Sequence, residues 1–311
     1  MPGIFFAIIT VCAWGSWLAP SQSIPFKNQQ IKTFYVAAAN LCLAFFAALF
    51  QGFKGLTPGT FWFPFAGGLI WAVSGYYAFL STNRIGIARA IGIWAPLNII
   101  VSLLWGIFLF GEFLQTSVPA LVLTVLSVMA IIAGITLIIF AGDISGKKSN
   151  SGASPSETEP EKPGSKRHYL TTGIIGAVIA GILWGSYFIP IRISAISMWV
   201  AALPLAAGIF TGSLLLVLFT RESLLLEKPS WYFRVCLTGL LWGIGNFSSL
   251  KMMELIGTGK GFTIAQLNVA LNALFGIFLF KEPQPGSKAA FFTLTGITIA
   301  LAGSILLGSL K

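Results

Sequence analysis

Residues Trp242–Glu282 read WGIGNFSSLKMMELIGTGKGFTIAQLNVALNALFGIFLFKE, and residues Trp71–Glu112 read WAVSGYYAFLSTNRIGIARAIGIWAPLNIIVSLLWGIFLFGE. Laid over each other at an offset of 171, the two stretches pair Trp71 with Trp242 and Gly86 with Gly257. After one gap the offset becomes 170; Leu97-Asn98 then falls on Leu267-Asn268, and GIFLFGE on GIFLFKE. The same 170 carries Trp14-Gly15-Ser16 onto Trp184-Gly185-Ser186 and Pro20 onto Pro190. Unrelated coincidences would not share a register, so the chain contains a duplicated unit of about half its length.

The duplication sits in a very apolar chain. Of its 311 residues 56% are hydrophobic and 9% charged, against about 25% charged in a soluble domain. A helix needs about 20 apolar residues to cross bilayer hydrocarbon, whereas barrel strands alternate over about ten. The long continuous apolar runs therefore predict an all-α polytopic membrane protein. The net charge of +10 comes from basic residues in short loops between those runs, which reads as membrane orientation rather than nucleic-acid binding. Cys12, Cys42 and Cys236 lie in apolar runs without metal-like spacing and read as small core residues. The single histidine, His168, falls in a polar linker, and neither a phosphate-binding G-x-x-x-x-G-K-[ST] loop nor a zinc-binding H-E-x-x-H pattern occurs. No enzyme, cofactor or metal is expected. The N-terminus lacks a basic leader and matches the internal stretch ending at Pro190, so it is expected to be a mature span.

Ten spans are expected, at 3–20, 32–51, 61–82, 88–110, 117–140, 171–191, 197–219, 232–253, 259–280 and 288–308. They divide into a first five-helix repeat, 1–140, a polar disordered cytoplasmic linker, 141–170, and a second five-helix repeat, 171–311. Loops after the odd-numbered spans, with their flanks, hold fourteen Lys and Arg against five on the other side. That bias places those loops in the cytoplasm and both termini outside. Five is an odd number, so the second repeat enters the membrane inverted relative to the first. Inverted repeats are a transporter architecture, with the substrate near the midplane where the halves meet.

Leu241-Trp242-Gly243-Ile244-Gly245-Asn246, Gln266-Leu267-Asn268, the segment Gly276–Glu282 and the Trp14-Gly15-Ser16 opening resemble the drug/metabolite transporter superfamily. Within it the chain is most similar to the glucose/ribose uptake group, related to the rhamnose–proton symporters. That resemblance implies ten helices as two inverted five-helix units and secondary transport of a small polar molecule, often a sugar, by ion coupling or facilitation. Two features depart from the pattern: a long linker, and Ser74-Gly75 where the second copy has Gly245-Asn246.

Sugar recognition inside a membrane needs amide or hydroxyl partners for hydroxyls and flat aromatic surface for C–H faces. The expected substrate-binding set is Asn246, Gln266, Asn268, Asn272, Asn98, Trp71, Trp242, Trp14, Trp184 and Tyr76, all near predicted helix centres. Each has a plain reading too, as a helix-packing amide or an interfacial anchor. Intramembrane ionisable residues are functional suspects by default. The coupling candidates are Glu254, Lys251, Glu112 and Glu282, although Lys251 and Glu254 at i and i+3 could simply pair with each other. The expected function is secondary transport of a neutral monosaccharide such as glucose, ribose or a rhamnose-like sugar, by alternating access with possible proton or sodium coupling, at the cell (inner) membrane. The alternatives are a drug, metabolite or amino-acid exporter and a non-transporting membrane partner or sensor.

Overall fold

The computed structural model describes residues 2–110, 117–148, 165–220, 222–256, 264–265 and 267–309, with backbone alone at 103, 110, 142–148, 165–167, 198, 250, 253–254, 256 and 308–309. Among the described residues the chain is helical, with no strand. Its elements are α1 (Pro2–Ser16), α2 (Ala19–Gln22), α3 (Gln29–Phe50), α4 (Pro58–Ile85), α5 (Ile87–Phe110), α6 (Val118–Lys148), α7 (Ser165–Trp184), α8 (Ile189–Ile193), α9 (Met198–Leu218), α10 (Pro229–Ile256), α11 (Leu267–Leu274) and α12 (Lys288–Ser309). A π-helical turn, Phe275–Leu279, extends α11. Among the described residues eight helices are long and apolar enough to cross a membrane, and Leu267–Leu279 is a shorter apolar segment. With α1 and α2 taken together, and α7 with α8, the described residues run as ten helices.

Local chemistry sets the ends. The Asn28 side chain accepts from the Ile31 N–H at 3.1 Å and caps α3. Thr57 and Thr60 exchange side-chain and backbone bonds in a reciprocal cap, and Pro58 opens α4 where no N–H is needed. α1 breaks after Ser16 and resumes as α2, with Pro20 in its first turn. α7 breaks after Trp184 and resumes as α8, with Pro190 in the matching place. A proline cannot continue the preceding turn's hydrogen bonding, so both Trp-Gly-Ser signatures lead into a bend.

Hydropathy marked several edges too tightly. α4 and α10 each run three residues past the expected span at both ends. α6 continues to Lys148 and α7 begins at Ser165, so 141–148 and 165–170 are helical rather than linker. Backbone hydrogen bonding continues beyond the bilayer core, which is the only part hydropathy can see.

α1 packs on α10 and α11, α7 on α4 and α5, α3 against α9 and α10, α4 on α9, and α6 on α12. Gly134 of α6 and Gly296 of α12 each lie against the other's carbonyl oxygen, where a Cβ has no room. One core cluster joins residues from Trp17 to Ile297 and so belongs to both halves.

Candidate functional site

The two helix breaks and the two repeated α4 and α10 signatures deliver tryptophans to one place. Trp71 (α4) and Trp242 (α10) stand 4.7 Å apart, centroid to centroid. Trp71 lies 5.9 Å from Trp184, which lies 5.3 Å from Trp94 of α5 and 6.2 Å from Trp17 in the α1–α2 bend. Phe79 joins Trp17 at 5.6 Å. These separations are in the range of favourable tilted and edge-to-face contacts. Trp71 is 1% exposed, so the rings fill the space between the halves. Two cavities lie outside the cluster, one against Arg89 beside α6 and α7 and one beside Lys54 and Trp199.

The expected residues divide. Trp71, Trp184 and Trp242 form the cluster, and Trp14 attaches to it by donating Nε1–H to the Trp242 carbonyl at 3.2 Å. Asn272, buried at 1% exposure, donates Nδ2–H to the Trp14 carbonyl at 2.7 Å and to the Asn268 carbonyl at 3.0 Å. Asn268 in turn donates to the Ala265 carbonyl. Their amide N–H groups therefore bond the backbone. Asn98 accepts from Ser102 at 3.3 Å, close to the α7 break, because a Cβ on Gly185 would meet the Asn98 carbonyl. Asn246 is buried one turn beyond Trp242, and its side-chain amide makes no hydrogen bond among the described residues. Tyr76 pairs with Tyr77 at 5.1 Å rather than with the indoles. Gln266, Glu112 and the Glu254 side chain lie outside the described residues. Lys251, half-buried, has an interaction partner of its own.

Glu282 follows the π turn and reaches back across the halves. Its Oε2 accepts from Gln22 Nε2 at 3.4 Å, while the same amide donates to the Thr82 carbonyl at 2.9 Å. Gly86, at φ +80°, passes directly beneath the Glu282 side chain, where a Cβ would come within 2.7 Å of its Cβ. The residue keeps solvent contact on one side, yet burial of the carboxyl raises its pKa above 4.5, opposed by the Gln22 hydrogen bond and the Arg89 charge. Residues 20–28 make further contacts at the same end. Arg234 donates to the Pro20 carbonyl and to Ser23 Oγ, both at 2.7 Å, Thr238 bonds Ser21 at 2.8 Å, and Lys27 pairs with Glu222 at 3.7 Å.

Sequence reasoning missed Trp17 and Lys32. Lys32 counted only as a loop charge, but it is 3% exposed, with Nζ 4.6 Å from the Phe79 ring centroid. A signal existed: Gln29, Lys32, Thr33, Val36, Ala37 and Asn40 follow helical spacing and form one buried stripe of α3.

Known proteins agree with this architecture. The sugar transport protein family is matched over residues 5–310. An Enterococcus faecalis protein named for sugar uptake is 25% identical, covering 99% of both chains. A Bacillus anthracis protein named for glucose uptake, GlcU, is 24% identical over 99% of both. A crystal structure of another protein, 16% identical, superposes with a TM-score of 0.61 over 99% of this chain and 97% of that one, which shows a shared fold. A matched profile over nearly the whole length, on a multi-pass helical membrane chain with aromatic surface between its halves, places this chain in the sugar transport protein family.

Proposed function

We propose that the protein carries a neutral monosaccharide across the cell membrane by alternating access between two inverted five-helix repeats, 1–140 and 171–311. The observation that carries this reading is the indole cluster: repeat-matched Trp71 and Trp242 meet at a 59° tilt, joined by Trp184 and, through its N–H, by Trp14. Aromatic faces suit the C–H surface of a sugar ring. Reciprocal packing supports the repeat: α1 on α10 is answered by α7 on α4, and α3 on α10 by α9 on α4. Both termini stand outside in this reading, so the tied end, with residues 20–28 and Glu282, faces the cytoplasm. The conformation is then closed to the cytoplasm.

Glu282 is the coupling group in this reading. Partial burial at the tied end favours the protonated carboxyl, and the Gln22 hydrogen bond and Arg89 charge favour the ionised one, so its proton affinity depends on the contacts made at that end. Asn246 lies one turn along α10 from Trp242, while Asn272 braces Trp14 and is itself held by the Asn268 carbonyl. Proteoliposome uptake of radiolabelled glucose, ribose and rhamnose, with and without an inward proton gradient, tests the proposal. Saturable uptake of at least one sugar is expected, and none across the panel would sink it.

A further inference from the structure

Two buried polar atoms on or beside the aromatic cluster, and one ammonium on a buried lysine, have no hydrogen-bond partner among the described residues. Lys32 Nζ stands over Phe79 at 4.6 Å and Phe26 at 6.0 Å, and makes neither hydrogen bond nor ion pair with any described residue. Gln29, three residues earlier on the same buried stripe and 7% exposed, leaves Oε1 without a donor. Trp184, 8% exposed, leaves Nε1–H without an acceptor. Phe79 links Lys32 to Trp184, since Phe79 touches Trp17 and Trp17 touches Trp184, and Gln29 lies one turn from Lys32 on α3. Unmatched buried polar groups are costly and rare, and a ring face offsets only part of an ammonium charge.

We infer that Lys32, with Gln29 and Trp184, forms the polar side of the sugar-binding site, which rests on the sugar-transport reading above. Two donors and one acceptor around flat indoles fit a ring bearing adjacent hydroxyls, each of which both donates and accepts. Two of the three unmatched groups are neutral and Phe79 already faces the ammonium, so the ligand is an uncharged polyhydroxylated ring rather than a sugar acid. The indoles part to admit it, and its C–H face takes the place of their mutual contacts. Lys32 lies on the closed side of the cluster, near the α3 start, and meets the sugar there before release.

Equilibrium binding to the full-length protein in detergent tests this, with glucose, ribose and rhamnose, followed by the monodeoxy analogues of the tightest binder. Lys32→Met is expected to weaken that sugar about tenfold or more, the usual loss for a hydrogen bond to a charged donor. Lys32→Arg is expected to restore part of the affinity. One deoxy analogue is expected to bind the wild type and Lys32→Met equally, because it lacks the hydroxyl that Lys32 holds. Unchanged binding by Lys32→Met, an equal loss for every analogue, or tighter binding of glucuronate than of glucose overturns the inference. If Lys32→Met fails to fold, Gln29→Met carries the same comparison. Wild-type protein that binds no sugar overturns the transport reading as well, whereas saturable wild-type binding with no Lys32 effect overturns this inference alone.

Discussion

An asparagine in a membrane helix can hold a ligand or a neighbour, and its partners decide which. Asn272 spends both of its amide N–H bonds on the carbonyls of Trp14 and Asn268, so it fixes α11 against α1. Asn272→Leu is expected to cost about 1–2 kcal/mol, seen as earlier thermal unfolding in detergent, with sugar affinity little changed in the protein that remains folded. Asn246 presents the opposite case, an amide with no bond among the described residues. Asn246→Ala is expected to leave unfolding within about 0.5 kcal/mol of wild type and to reduce uptake severalfold. Equal effects on stability from the two variants would contradict that division. Trp71 tests packing. At 1% exposure its replacement by Ala leaves a cavity beside the Trp184 and Trp242 indoles, with an expected loss of about 3–5 kcal/mol on chemical unfolding. All three side chains are visible in the sequence as intramembrane polar or aromatic residues, but their partners are not, because Trp14 lies 258 residues from Asn272, and Trp184 and Trp242 come to Trp71 from other helices far along the chain.

At the scale of elements, the GIFLF copies behave differently. In the second copy Phe275–Leu279 adopts π geometry, whereas residues 105–109 remain α-helical. The wider turn, followed by Lys281 at φ +58°, ends the helix so that Glu282 swings back onto Gln22 and Gly86. Because burial raises the Glu282 pKa, protonation of this carboxyl favours the tied arrangement over one that exposes it to water. That contribution to closure is full below the ordinary value of 4.5 and is lost as pH rises through the raised value. Glu282→Gln, always neutral, is expected to remove proton-driven sugar accumulation while sugar exchange at equal pH continues. Accumulation that persists under a proton gradient would rule Glu282 out as the coupling group. Arg234 holds the same end from α10 through Pro20 and Ser23. Arg234→Ala is expected to raise the labelling rate of a cysteine placed at Pro25 by a cytoplasmic-side thiol reagent severalfold, and an unchanged rate would mean that this contact does not hold the end shut.

For the whole molecule, membrane class, helix positions and the duplicated register were legible, since each rests on properties carried within about 20 consecutive residues or on direct self-comparison. The helix breaks at Trp-Gly-Ser were half legible, through Pro20 and Pro190. The site was legible only as a list of residue types. The list held Trp71, Trp184 and Trp242, which do meet, and Tyr76, which lies apart with Tyr77. It omitted Lys32, because a lysine four residues past a helix cap looks like a loop charge until the burial of its helix face is known. By itself, then, the sequence determined an all-helical, duplicated membrane chain, because hydrophobicity and repetition are written along the backbone. Only the tertiary structure decided which indoles share a centre, which amides are spent on backbone carbonyls and which buried donors remain unmatched. Those outcomes depend on helix rotation and approach, which distant parts of the chain settle together.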